Sequence, residues 1–255
     1  MQNRFLRTLK KKWPEYLLEI IVLVIGIYGA FAVDNWNEQR KDRKQEIKIL
    51  KSLKSDLSIE FTNNNNFKKL REEKAKACAF LLFDSIPKSR NEIVNYINQY
   101  STVLFWRTYV PNNNTFKELV SSGNLSLISN DSIRYYLQEL DNKYKAISNG
   151  EEHMRHEYDE YIYNIIFPNT NAMRVFDLKK IAQTGIIKQS DSTNISDAQL
   201  VGALEEIKWI SNNLTLTNAF KITMLNNMSI TTMHGKIHDN LLKIDELIES
   251  ELSLK

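Results

Sequence analysis

Residues 16–36 read YLLEIIVLVIGIYGAFAVDNW, an apolar run with one carboxylate, Glu19, set inside it. Fourteen residues without charge separate Glu19 from Asp34. Adding Leu17 and Leu18 brings the run to the short end of the ~17 to 25 residues that a helical membrane span uses. Trp13 and Trp36 bracket it. At about 1.5 Å per residue they stand roughly 35 Å apart, the separation of the two aromatic belts of a bilayer. The segment is therefore expected to be a transmembrane helix over 16–36, preceded by a basic tail over 1–15. A cleaved signal peptide is the competing reading, because Ala30-Phe31-Ala32 fits the small-residue cleavage pattern behind a basic start. The glutamate disrupts the apolar region such a peptide needs, and the helical pattern runs on past it, so the span is preferred.

The composition extends the helical reading to the whole chain. With 7 glycines and 4 prolines in 255 residues, the two residues that normally punctuate helices are scarce. The fold is expected to be all-α: a transmembrane helix, a stalk and an antiparallel helical-bundle domain. The length accommodates one anchor and a soluble core of about two hundred residues. The lone Cys78 excludes an intramolecular disulfide framework, and the net charge of +3 is nearly balanced.

The positive charges flanking the run tie in number. Arg4, Arg7, Lys10, Lys11 and Lys12 precede it, and Arg40, Lys41, Arg43, Lys44 and Lys48 follow it. A short basic tail resists transfer across a membrane, whereas a long domain is translocated largely regardless of charge. The expected topology is a bacterial inner-membrane protein with its N-terminus inside and residues 37–255 outside the cytoplasm. Trp13, Trp36, Lys10, Lys11, Lys12, Arg40 and Lys41 are expected to meet the lipid headgroups, and their closeness to the membrane ends favours lipid over nucleic acid.

Glu19 then lies about five residues, or ~8 Å, from a midplane near Val24. A carboxylate at that depth costs on the order of 2 to 3 kcal/mol, so it is expected to be protonated, water-accessible or paired with another chain. Glu19, Leu23, Gly26, Ala30 and Val33 recur at steps of three and four and share one helical face. That face contains the small-xxx-small pair Gly26 and Ala30, which suits close helix association and a homo-oligomer. The alternative is a glutamate that snorkels to the nearer headgroups beside small residues of no special role.

The block LLEIIVLVIGIYGAFAVDNWNEQRK resembles the amino-terminal signature of a family of bacterial single-pass membrane proteins, a domain of unknown function. Its pattern is a glutamate entering an Ile/Val/Gly-rich helix that exits in Asn-Trp-Asn-Glu and basic residues. Here these are Glu19, Gly26, Asn35, Trp36, Asn37, Glu38, Arg40 and Lys41. TFKELVSSGNLSLISNDSIRYYLQEL, residues 115–140, is similar to the family's midregion, while Tyr28, Gly29 and Ala30 replace a more aliphatic run. The resemblance implies a membrane protein without supplying an activity.

Beyond the span, residues 37–61 read as a helical stalk: a polar stretch, then a stripe of Ile47, Leu50, Leu53, Leu57 and Phe61. Packing of the stripe onto the domain is favoured over a short coiled coil. The run Asn63 to Asn66 is expected to interrupt this helix. The helical domain, 62–255, is expected to hold helices over Ser89–Phe105, from Asn114 or Thr115 to Gly123, from Asn130 or Asp131 through Phe167 before Pro168, from Asp197, and from about Leu214 to Leu254. WRTYVPNNN is expected to cross the core as a loop through Trp106 and Tyr109, and residues 168–196 are the least regular part.

The sequence has no dinucleotide fingerprint, phosphate-binding loop or nucleophile elbow, so neither an enzyme nor a cofactor is expected. One constellation suggests metal: His153 with His156, and His234 with His238, each on one helical face near Glu152, Glu157, Asp159 and Asp239. Two antiparallel helices could bring the pairs together, but no Glu stands at the spacing of a di-iron bundle, and solvated faces with incidental histidines are commoner. The leading expectation is a noncatalytic, homo-oligomeric membrane sensor, scaffold or module for an unidentified protein partner. A proton or cation pathway through Glu19 and a metal site at the histidines are the alternatives.

Overall fold

A computed structural model describes residues 2–171, 182–183 and 196–253, and of residues 2–15 only the Trp13 side chain. The described residues form helices and no strand. The first, α1 (Gln2–Phe83), is a single helix of 82 residues. Asn63 to Asn66 do not interrupt it, because Asn64 is buried and its amide is occupied across the core. Asparagine breaks helices when its side chain competes for its own backbone, and here a tertiary partner removes that competition.

α2 (Arg90–Leu104) opens at Ser89, whose hydroxyl accepts from the Glu92 N–H, and ends at Phe105. α3 (Asn114–Ser121) stops at Gly123, where φ of +72° requires the left-handed conformation glycine adopts freely. A 3-10 turn over Asn124–Leu127 leads to α4 (Asp131–Tyr158), capped by Asn130, whose Oδ1 accepts from Ser132 and Ile133 N–H groups. A π turn, Asp159–Tyr163, joins α4 to α5 (Asn164–Asn169). Pro168 lies inside α5, not beyond it. Most of the region expected to be least regular, 168–196, lies outside the described residues. α6 (Asp197–Asn212) begins with a capping box between Ser196 and Gln199, and α7 (Leu214–Ser253) completes the chain described.

Three long helices form the frame. Lys54 meets Glu249, and Asn64 meets His234, so α1 and α7 run antiparallel. The Asn240 side-chain oxygen accepts from the Lys143 ammonium at 3.1 Å, and Asn226 donates to Glu157 at 2.7 Å, so α4 and α7 are antiparallel too. The apolar contacts fall into two clusters. One joins Leu50, Leu53 and Leu57 of α1 to Ile133, Leu137, Leu140 and Ile147 of α4 and Ile237, Leu241, Ile244 and Ile248 of α7. The other joins Ala77, Cys78 and Leu81 to α2, α6 and the start of α7.

The frame reaches almost to the end of the apolar run. Arg43 and Glu46 already touch α7 and the α4 entrance: Arg43 donates to the Glu251 carbonyl at 2.9 Å, and Glu46 accepts from the Ser129 N–H and hydroxyl at 2.6 Å. The expected stalk over 37–61 is thus free of the bundle only through Asp42, because Leu50, Leu53 and Leu57 bury their stripe in the core.

Candidate functional site

The buried face of α1 repeats at alternating steps of four and three: Glu46, Leu50, Leu53, Leu57, Glu60, Asn64, Phe67, Arg71, Lys74, Cys78 and Leu81. This is the heptad spacing of a packed helix seam. Phe67 is half-buried and the others are buried. Leucines fill the seam below and Ala77, Cys78 and Leu81 fill it above, while Glu60, Asn64, Arg71 and Lys74 form a polar layer between the two apolar clusters.

The polar layer exists because an irregular strand of chain crosses the core there. Residues 105–113 form no helix, so their backbone groups need partners from elsewhere. Three charged side chains of α1 and one of α4 supply them, and a further carboxylate of α1, Asp56, serves the start of α3. Asp56 accepts from the Thr115 N–H at 2.8 Å, and Glu60 accepts from the Asn112 N–H at 2.7 Å and from the Tyr109 hydroxyl. Arg71 donates to the Arg107 carbonyl at 2.7 Å, and Lys74 donates to the Phe105 carbonyl. Glu151 of α4 accepts from the Tyr109 N–H at 2.9 Å and pairs with Arg71 at 2.5 Å, both partners being nearly inaccessible to solvent. Asp56 and Glu60 also place negative charge at the start of α3, where the helix dipole favours it.

Aromatic rings close the layer. Arg71 lies 4.9 Å from the Trp106 ring, and Lys74 lies 4.6 Å from the Tyr158 ring. The Lys74 ammonium also donates to the Tyr158 hydroxyl at 3.2 Å. Burial, aided by the neighbouring Arg71 charge, lowers the Lys74 pKa to about 7. The π turn follows Tyr158 directly and brings Tyr163, five residues on, to the same side, where its hydroxyl donates to the Leu104 carbonyl. On the far side, Asn64 Oδ1 lies 2.7 Å from His234 Nδ1, and Asn64 donates to the His234 carbonyl at 3.0 Å. Burial, then the charges of Arg71 and Lys68, push His234 down to about 4, so it is neutral at pH 7.

The paired histidines therefore do not meet as a metal site. His234 is fully buried against Asn64, Phe67 and Tyr109, and His238 packs edge-on against Phe61. His153 and His156 face solvent, and His153 pairs with Glu157 at 3.2 Å. The antiparallel register explains the separation: Gly150 lies beside Ile230, which sets His234 and His238 opposite residues before His153. Among the described residues, no three of His, Cys, Asp and Glu are grouped to hold a metal ion.

At the other end, the apolar run has no packing partner among the described residues. Its side chains are exposed from Tyr16 through Trp36, including Leu18 at 66%, Phe31 at 70% and Val33 at 64%. Glu19, Leu23, Gly26, Ala30 and Val33 lie within about 40° of one helical meridian, all exposed. A Cβ at Gly26 would meet nothing within 4 Å. Trp13 and Trp36 are exposed, as are Arg40 and Lys41, and the Arg40 guanidinium lies 5.7 Å from the Trp36 ring. The side chains of Lys10, Lys11 and Lys12 lie outside those described. This helix is long and apolar enough to cross a membrane.

The model of a family of unknown function, DUF6090, matches residues 19–202. The chain belongs to that family. The match takes in the apolar run from Glu19, the whole polar seam of α1, the crossing loop and Glu151, and ends inside α6. No curated protein and no solved structure matches the chain.

The polar seam is hidden in the sequence because charged and amide side chains on a helix ordinarily mark a solvated face, not a core. The signal was present: the 50, 53, 57 stripe continues unbroken in register through Glu60, Asn64, Arg71 and Lys74.

Proposed function

We propose that the chain is a single-pass membrane protein of the bacterial inner membrane, anchored by residues 16–36, that works as a noncatalytic sensing or partner-binding module. The observation that carries this reading is the continuity of α1, whose wholly exposed apolar run passes without a break into the core of the bundle. Burying the sixteen apolar side chains of residues 16–36 in lipid removes a solvent exposure that no described part of the bundle relieves. Because the same helix then supplies the buried seam, a shift or rotation of the anchor is transmitted to the polar layer without a hinge.

The N-terminus is assigned to the cytoplasm and residues 37–255 to the outside, on the charge argument. The anchor self-associates through Glu19, Leu23, Gly26, Ala30 and Val33, where the open notch at Gly26 admits a second helix and a partner chain relieves the desolvation of Glu19. Membranes washed with alkaline carbonate should retain the full-length chain. In mild detergent it should size as an oligomer, and Glu19→Leu should shift it toward monomer. Release by the wash overturns the anchor, and monomers in both proteins overturn the association.

A further inference from the structure

Beside the Arg71–Glu151 pair, α1, the end of α2 and the crossing loop flank an open cleft of about 210 Å³. Arg71, Lys74 and Ser101 line its buried part, Phe67, Leu70 and Phe105 give it apolar walls, and Glu73 and Arg107 stand at its exposed edge. Its charges are unequal. Arg71 is matched by Glu151 at 2.5 Å, and Glu73 lies 3.9 Å from Lys69. Among the described residues, no carboxylate forms an ion pair with Lys74 or Arg107, and the buried Arg71 Nε has no hydrogen-bond partner.

We propose that this cleft binds a small soluble carboxylate with a short apolar tail, its carboxyl group between Lys74 and Arg107 and its tail against Phe67, Leu70 and Phe105. Burial without a counter-ion disfavours the charged amine, and a ligand carboxylate restores that charge while accepting the ammonium hydrogen left over from the bonds to the Phe105 carbonyl and the Tyr158 hydroxyl. Glu73 at the edge disfavours a second negative charge, and the apolar walls of Phe67, Leu70 and Phe105 suit a carboxylate's tail, which phosphate lacks. A membrane lipid is out of reach: about 35 residues of continuous helix, roughly 53 Å, separate Trp36 from Arg71. The cleft stands whether or not residues 16–36 cross a bilayer, so its test is separate from that of the anchor.

The groups facing Lys74 are Arg71 and Cys78 on α1, Tyr158 on α4, and Arg107 in the crossing loop. Burial raises the Cys78 thiol to about 12 and Tyr158 well above its usual value, so both stay neutral through the range of interest. Binding therefore draws a proton onto Lys74, and affinity falls as pH rises above about 7.

The full chain in mild detergent, titrated calorimetrically with butyrate, tests this. The expected result is one saturable site at pH 6, no matching site for 1-butanol, and affinity about thirtyfold weaker at pH 8.5. Lys74→Met should abolish binding. Arg107→Gln should weaken binding about tenfold, and it keeps the fold because the Arg107 backbone carbonyl, not its side chain, receives Arg71. No saturable butyrate uptake at pH 6, equal uptake of 1-butanol, tighter binding of inorganic phosphate, or unchanged affinity in Arg107→Gln would each overturn the proposal.

Discussion

The two halves of α1 are inverted with respect to each other. Between Tyr16 and Trp36 the helix is apolar and fully exposed, whereas between Glu60 and Lys74 its inward face is charged and polar and almost wholly buried. Neither half obeys the rule that apolar residues go inside, and each departs from it for a different reason. The first is suited to a solvent other than water. The second faces a stretch of irregular backbone whose N–H and C=O groups demand partners that leucine cannot provide.

The largest effect should come from the polar half. Glu151→Leu removes the partner of a guanidinium buried beyond the reach of water and also orphans the Tyr109 N–H. Breaking such a pair from one side costs about 3 to 5 kcal/mol, read as a lower midpoint in urea unfolding of the detergent-solubilised chain. Arg71→Met with Glu151→Leu should recover part of that loss, because no unpaired charge is left behind. If the double variant is as unstable as the single, the polar layer matters through its grip on the loop rather than through charge balance.

Next in size is the acid response of His234. Its folded pKa is depressed to about 4 from an ordinary value near 6.5. Between those limits the unfolded chain takes up a proton that the folded chain refuses, so stability is full above about pH 6.5 and falls as pH drops toward 4. The linked loss is on the order of 3 kcal/mol. His234→Gln should flatten the unfolding free energy across that window. It should leave the loss at lower pH from Glu46: burial raises that carboxyl, but the Ser129 and Arg43 hydrogen bonds outweigh it and hold it below the usual range. An unchanged pH profile in His234→Gln would mean that solvent reaches the ring.

The fold was largely legible in the sequence because caps and periodicity are local. Ser89, Gly123, Asn130 and Asp197 mark helix ends that the structure places within a residue or so. What was illegible depended on contacts distant in sequence. The four asparagines at 63–66 read as a break, and the partners that occupy their amides are distant in sequence: His234, 170 residues from Asn64, and Val110, 47 residues from Asn63. The histidine spacings show only that each pair shares a helix face; which face looks inward, and where α4 sits along α7, is set by packing of both helices. The polar layer was hidden for the same reason, since Arg71 on α1 looks like a solvated charge until Glu151 and the Arg107 carbonyl are placed against it.

The smallest effect should come from the apolar half, and its smallness is informative. Leu23, at 61% exposure, touches nothing in the bundle, and Ile25, at 65%, is equally free. Leu23→Ser or Ile25→Ser should leave the urea midpoint of the bundle unchanged to within about 0.5 kcal/mol, as surface substitutions do. The same changes, made together with Val22→Asp, should reduce the fraction of chain retained by carbonate-washed membranes, because each polar group placed at mid-helix lowers the preference for lipid. A bundle that loses stability with these substitutions would show that the run folds back onto the domain in solution. The helix would then be one packed element with a single environment, and the contrast between its two halves would dissolve.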